Sequence, residues 1–156
     1  MHVSHDNGAW SLAFLLETLG IASDPELIRH RSGAKIAMNA LDVVRATKNY
    51  NVKSELLKIE KSRLSKIHLP AIFILNDGEF VICGRGDDIH LLVQRQEDTS
   101  PKLISNDSFN NLWSGQIILV TRREGIIGRF LKFDFNWFLN SLKKYRVMFA
   151  EVCLLY

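Results

Sequence analysis

Several common devices are scarce in this chain of 156 residues. It has two cysteines, Cys83 and Cys153, far apart and each inside an apolar run. That spacing excludes a disulfide framework and suits a reducing compartment. Three prolines and no low-complexity tract exclude a disordered linker, and 47% apolar residues supply a core for one domain. No internal repeat marks a solenoid. No long apolar run is present either. The first apolar stretch, Trp10 to Leu16, is too short for a signal peptide and follows His5 and Asp6. The last, Val147 to Tyr156, has about half the length of a bilayer span and contains Glu151. An excess of one charge is missing from most of the chain. Residues 1–120 hold 13 Lys and Arg against 14 Asp and Glu, a net −1, whereas residues 121–156 hold 7 against 3, a net +4. A neutral body lacks the basic stripe of a nucleic-acid binder, so the pI near 9 reflects the tail.

What is present divides into helices and then strands. Trp10, Leu12, Ala13, Leu15, Leu16 and Leu19 form one broad apolar face, which predicts a buried helix stopped by Gly20. Ser23-Asp24-Pro25-Glu26 has the spacing of a capping box, with Pro25 in the first turn and Leu27 and Ile28 as core contacts. A third helix is predicted over residues 37–48, with Met38, Ala40, Leu41 and Val44 inward. After Tyr50 the pattern turns to β. Strands are expected at residues 52–59, 71–75, 79–83, 89–95, 102–104 and 116–121, with one or two helical turns at 60–67. Asn76-Asp77-Gly78 marks a hairpin. Ser105-Asn106-Asp107 caps a short helix carrying Phe109, Leu112 and Trp113. Helices followed by an antiparallel meander predict an α+β domain, with N-terminal helices packed on one side of a C-terminal antiparallel sheet. The tail, "KFDFNWFLNSLKKYRVMF", interleaves aromatics with cations. Lys132, Trp137, Lys143, Lys144 and Arg146 fit the cytoplasmic membrane–water boundary. The expected division is a domain over 1–122 and a connector over 123–156.

The chemically suggestive residues each have a plain alternative. Asn7-Gly8 opens the first helix, where a nucleophile would gain from the helix dipole, but a carboxamide neither ionises nor attacks. Asn7 also reads as a helix cap. Cys83 reads as a buried structural thiol, with His90 as its nearest candidate base. His2 and His5 have metal-gripping spacing but no third ligand, so no metal is expected. Gly84-Arg85-Gly86 lacks the lysine and helix of a phosphate loop and reads as a turn. Trp10, Phe80 and Trp113 are candidate substrate-binding aromatics, with core burial as the alternative reading.

Three stretches resemble a known family. "DNGAWSLAFLLE" is similar to the Asp-Cys-Gly helix of the bacteriocin-processing, papain-like cysteine peptidases that form the N-terminal domain of bacterial ABC exporters. "LPAIFILNDGEFVIC" resembles their histidine hairpin. The tail resembles the connector into the first membrane helix of type I secretion exporters of haemolysin or large-adhesin type. The resemblance implies a papain-like fold. It places the family's cysteine at Asn7, its histidine at Glu79, its aspartate at Gln94 and its oxyanion glutamine at Met1, so all four chemical roles are absent. It further implies a non-catalytic domain at the cytoplasmic face of the bacterial inner membrane. Its partners would be unfolded calcium-binding repeat toxin or adhesin, and the membrane and ATPase domains of the same dimeric exporter. Glu79 tilts the cargo toward adhesin. No cofactor is expected in this segment, with ATP and magnesium assigned to the ATPase domain. Two alternatives stay open: an active leader-peptide peptidase using Cys83, and a scaffold touching the ATPase domain only. A hydrogen bond between Asn7 and Glu79 is expected.

Overall fold

The computed structural model describes residues 7–123. In chain order its elements are helices α1 (Asn7–Thr18), α2 (Pro25–Ser32) and α3 (Ala40–Ala46), then strand β1 (Val52–Lys58), β2 (Ala71–Leu75), β3 (Phe80–Arg85), β4 (His90–Gln94) and β5 (Lys102–Ser105), helix α4 (Asn106–Leu112) and strand β6 (Trp113–Arg122). Short 3₁₀ turns span Thr47–Asn49 and Lys61–Lys66. The six strands make one antiparallel sheet in the order β1-β6-β2-β3-β4-β5. The expected α+β architecture is therefore present. The last strand returns to pair between β1 and β2, tying the helical half to the hairpins.

Period-two alternation gives the sheet two unlike faces. Ile72, Ile74, Phe80, Ile82, Ile118 and Val120 face α1, α2 and α3, whose Leu12, Leu15, Leu16, Ile28 and Val43 complete the first core. Ala71, Phe73, Leu75, Val81, Cys83, Ile117 and Trp113 pack on the other side with Leu64, Ile67 and Phe109. The N-terminal helices lie on one side as expected, and α4 and the Lys61–Lys66 turn cover the second face. That double cover explains why Ala71-Ile72-Phe73-Ile74-Leu75 is apolar without a gap.

The helix ends show which local signals prevailed. Gly20 adopts φ +76° after α1, as predicted. Gly8 is needed for a different reason. A Cβ there would lie 3.1 Å from Val43 Cγ2 and 3.3 Å from Met38 Cβ, so its bareness lets α1 approach the entry of α3. In α2 the cap is Asp24, which accepts from Glu26 N at 2.9 Å. Ser23 instead donates to the Ala13 carbonyl at 3.1 Å. Ile28 is buried, whereas Leu27 is exposed. Helix α3 starts later than predicted because Asn39 and Asp42 form a reciprocal capping box. That start rotates Val43 and Ala46 inward and leaves Leu41 exposed, with Met38 buried just ahead of the helix. Leu112 is likewise exposed, and Trp113 opens β6 rather than continuing α4.

Candidate functional site

Asn7, Glu79 and Gln94 come together at one end of the sheet, through three unrelated backbone arguments. Asn7 is the first residue of α1, and its carboxamide Oδ1 accepts from the backbone N–H of Phe80 at 2.5 Å, a contact spanning 73 residues of sequence. Glu79 immediately precedes β3, placed by the Asn76–Gly78 turn, where Leu75 N–H donates to the Glu79 carbonyl and Gly78 holds φ +86°. Gln94 ends β4 and pairs with Ile82, two residues along β3 from Phe80.

Each of the three side chains already has a structural partner. The expected Asn7–Glu79 hydrogen bond does not form. Asn7 takes the Phe80 amide, and the Glu79 carboxylate takes Arg95, with Nη1 to Oε2 at 2.7 Å. The physical reason is charge: a guanidinium within reach outcompetes a neutral amide for a carboxylate. Gln94 is buried and donates from Nε2 to the carbonyls of Arg95 and Asp98, both at 2.8 Å. An ionised aspartate at this position accepts only and could not make those two bonds. Gln94 therefore closes the turn that presents Arg95 to Glu79. Burial pushes the Glu79 carboxyl above its ordinary value. Arg95 opposes that rise, and the nearby Asp77, Glu97 and Asp98 add to it. Sequence reading missed Arg95, although it directly follows Gln94 and the chain offers it a carboxylate across the hairpin.

No thiol with a free path to this site exists among the described residues. Cys83 is fully buried within β3, on the face away from α1, and burial pushes its thiol well above its ordinary value. His90 does not approach it. Cys83 pairs with Val93, three positions away and so about 10 Å along β4. The His90 Nδ1 is engaged by the Asp87 carboxylate at 2.8 Å. Asp87 is held below its ordinary value, first by the Ile89 amide and then by His90.

The substrate-binding aromatics separate. Trp113 is corrected to core: it is 0% exposed, its indole Nε1 donates to the Gln116 carbonyl at 2.9 Å, and its ring packs against Phe73 and Phe109. Phe80 is corrected likewise, 6% exposed in the first core, so it offers this site its amide and not its ring. Their burial follows from strand phase, which points both rings into cores. Trp10 remains available: half-buried, one turn from Asn7, with its ring 5.3 Å from Phe14. Met1, His2 and His5, and the membrane-interface residues Lys132, Trp137, Lys143, Lys144 and Arg146, lie outside the described residues. So does the connector expected over 123–156, apart from its first residue.

Comparison with known proteins gives a consistent result. A family model described as the peptidase C39 family matches residues 2–125. The leukotoxin translocation ATP-binding protein LktB of Pasteurella haemolytica-like sp. (strain 5943B) is 33% identical over 158 residues, covering 98% of this chain and 22% of its own length. The exotoxin translocation ATP-binding protein PaxB of Pasteurella aerogenes is 34% identical, covering 96% of this chain and 22% of its own length. The chain thus spans about a fifth of the length of these relatives. Among solved structures, a double glycine motif protease from an AMS/PCAT transporter in complex with the leader peptide superposes with a TM-score of 0.68 at 22% identity, over 78% of this chain and 89% of that one. The N-terminal peptidase C39 like domain of a toxin secretion ATP-binding protein from Vibrio parahaemolyticus gives 0.67 at 20% identity, over 78% of this chain and all of that one. The fold is the papain-like one of those peptidase domains.

Proposed function

The chain belongs to the peptidase C39 family, and from that premise we propose that it is a non-catalytic peptidase-like domain of a type I secretion ABC exporter, which docks unfolded cargo for transport. The single observation that carries the reading is the state of Asn7. Its carboxamide stands where the resemblance puts the nucleophilic thiol, and it is committed to the Phe80 amide. Covalent attack needs an ionisable nucleophile beside a base. Here Glu79 is paired with Arg95, Gln94 closes a turn, and the described thiol is sealed inside the sheet. A cleft of papain-like shape without such a group can hold an extended peptide and release it intact.

The names of the relatives favour a secreted toxin as cargo over an adhesin. The rest of the exporter would supply the membrane-spanning and ATPase domains, with ATP and magnesium bound there, and would assemble as a dimer. The domain would then work at the cytoplasmic face of the inner membrane, with the 123–156 segment as its connector.

The test is a titration of the chain with a cargo repeat held unfolded without calcium and then folded with it. Chemical shifts should move at Trp10 and around Asn7 for the unfolded form only. Equal or absent response to both forms would favour a scaffold that contacts the ATPase domain alone. A leader-peptide assay should show no turnover, and Asn7→Cys alone should not create any. Turnover abolished by a thiol alkylator in the parent chain would overturn the non-catalytic reading.

A further inference from the structure

A second surface, on the opposite face of the sheet from α1, has the character of a binding groove. We infer that it docks an acidic, extended peptide segment. The recess holds about 680 Å³ between the end of β1, the Lys61–Lys66 turn and β6. That volume falls within the range of about 300–1,000 Å³ common to ligand sites. Its apolar wall is Ile59, Ile67 and Leu119, all belonging to the second core or packed against it, and therefore remote from Asn7. Its rim carries Lys58, Arg63 and Lys66, all exposed. His68 also lines the recess, and Glu60 is the one acid among the lining residues.

Three observations select the occupant. First, the rim charges are unspent. The ion pairs of the described residues join Arg45 to Asp42, His90 to Asp87, Arg95 to Glu79 and Lys102 to Asp98, and none takes Lys58, Arg63 or Lys66. The neighbouring Lys61, by contrast, donates to the Asn110 carbonyl at 2.6 Å. Three free cations gathered at one recess complement carboxylates. Second, the aliphatic wall asks for an apolar side chain between those carboxylates. Third, the groove opens at the end of β1, an edge strand that among the described residues pairs with β6 alone. An unpaired strand rim leads an extended chain toward the recess. A lipid surface fits less well, because a planar sheet of headgroups does not enter a concave site. The inference stands apart from the Asn7 site and survives if the cargo reading fails.

The experiment uses the whole chain with labelled isoleucine and leucine methyls. The probe is a short peptide alternating aspartate with leucine. Its asparagine–leucine counterpart and phosphatidylglycerol vesicles are the comparison arms. The acidic peptide should move the Ile59, Ile67 and Leu119 methyls and leave Ile72 and Ile82 of the other face in place. Combined Lys58→Gln, Arg63→Gln and Lys66→Gln should weaken binding about tenfold or more, and added salt should weaken it in the parent chain. Because all three residues are exposed, an unchanged thermal midpoint will show that the variant folds, and the salt series stands without it. Equal affinity for the asparagine peptide, an unaffected triple variant, shifts confined to Ile72 and Ile82, or vesicle binding without peptide binding would each overturn the proposal.

Discussion

The two faces of the sheet are built on different principles. The face away from α1 is closed by aromatic packing. Phe73 sits 5.4 Å from Phe109 and 5.2 Å from Trp113, all three essentially without exposure. The face toward α1 is filled mainly by aliphatic side chains, with Phe80 the one buried aromatic among them, and its margin is fixed by single polar contacts: Asn7 to the Phe80 amide, Glu79 to Arg95, and Gln94 to its own turn. The difference teaches where tolerance lies. Packing energy is spread over many atoms, whereas the polar margin depends on a few directed bonds. A site of this kind can lose its chemistry by substitution of one residue type while the sheet beneath it stays intact.

The sharpest way to break this comparison is to hollow out the aromatic face. Trp113→Ala removes the largest buried side chain and leaves the Phe73 and Phe109 rings facing a void. The expected loss is about 3–5 kcal/mol, read from the urea midpoint at constant slope. Because β1, β2, β3 and β6 contribute to both cores, helical and aromatic signals should disappear together. Separate transitions would mean that the faces are independent units.

Asn7→Ala should cost less, about 1–3 kcal/mol, because it strands one backbone donor instead of emptying a core. The more specific readout is hydrogen exchange. The Phe80 amide should lose protection selectively, since Asn7 at the start of α1 is its acceptor. If exchange at Phe80 were unchanged while global stability dropped, Asn7 would be a helix cap and no more. That was one of the readings open to sequence alone.

How much was legible follows from the kind of signal. Gly20, Asn76-Asp77-Gly78 and the unbroken Ala71–Leu75 run each encode local geometry, and each appears where expected. Glu79 directly precedes β3 and Gln94 ends β4, positions that follow from the turn signal at Asn76–Gly78 and the apolar run at 91–93. The misplaced residues depended on competition. Asn39 outcompeted earlier starts for α3 by satisfying two backbone groups with Asp42, which moved Leu41 to solvent. Trp113 appeared as a helical residue because Phe109, Leu112 and Trp113 have helical spacing. The strand claimed it through pairing with Leu75, a partner 38 positions earlier. Arg95 escaped notice because nothing in its neighbourhood says that a turn will aim it at Glu79.

The smallest expected effect concerns the sign of the Glu79–Arg95 pair. A surface pair would hold the carboxyl low, yet Glu79 is raised, because burial outweighs Arg95 and because Asp77, Glu97 and Asp98 add repulsion. A carboxyl raised on folding contributes stability that is fully present below its ordinary value of 4.5 and is lost as pH climbs through the folded value. The parent chain should therefore lose ground to Glu79→Gln as pH rises from about 4 toward neutrality. The change should be small, under about 1 kcal/mol, since the two side chains retain 27% and 31% of their exposure. Asp87 does not confuse the comparison. It is lowered on folding, so its contribution is lost below 3.8, beneath the window used, and it is common to both chains. Urea midpoints of the two chains across that range decide the sign. If the parent gains on Glu79→Gln as pH rises, Arg95 outweighs burial. The margin of the helical face would then be held by a favourable ion pair and not merely tolerate a buried acid.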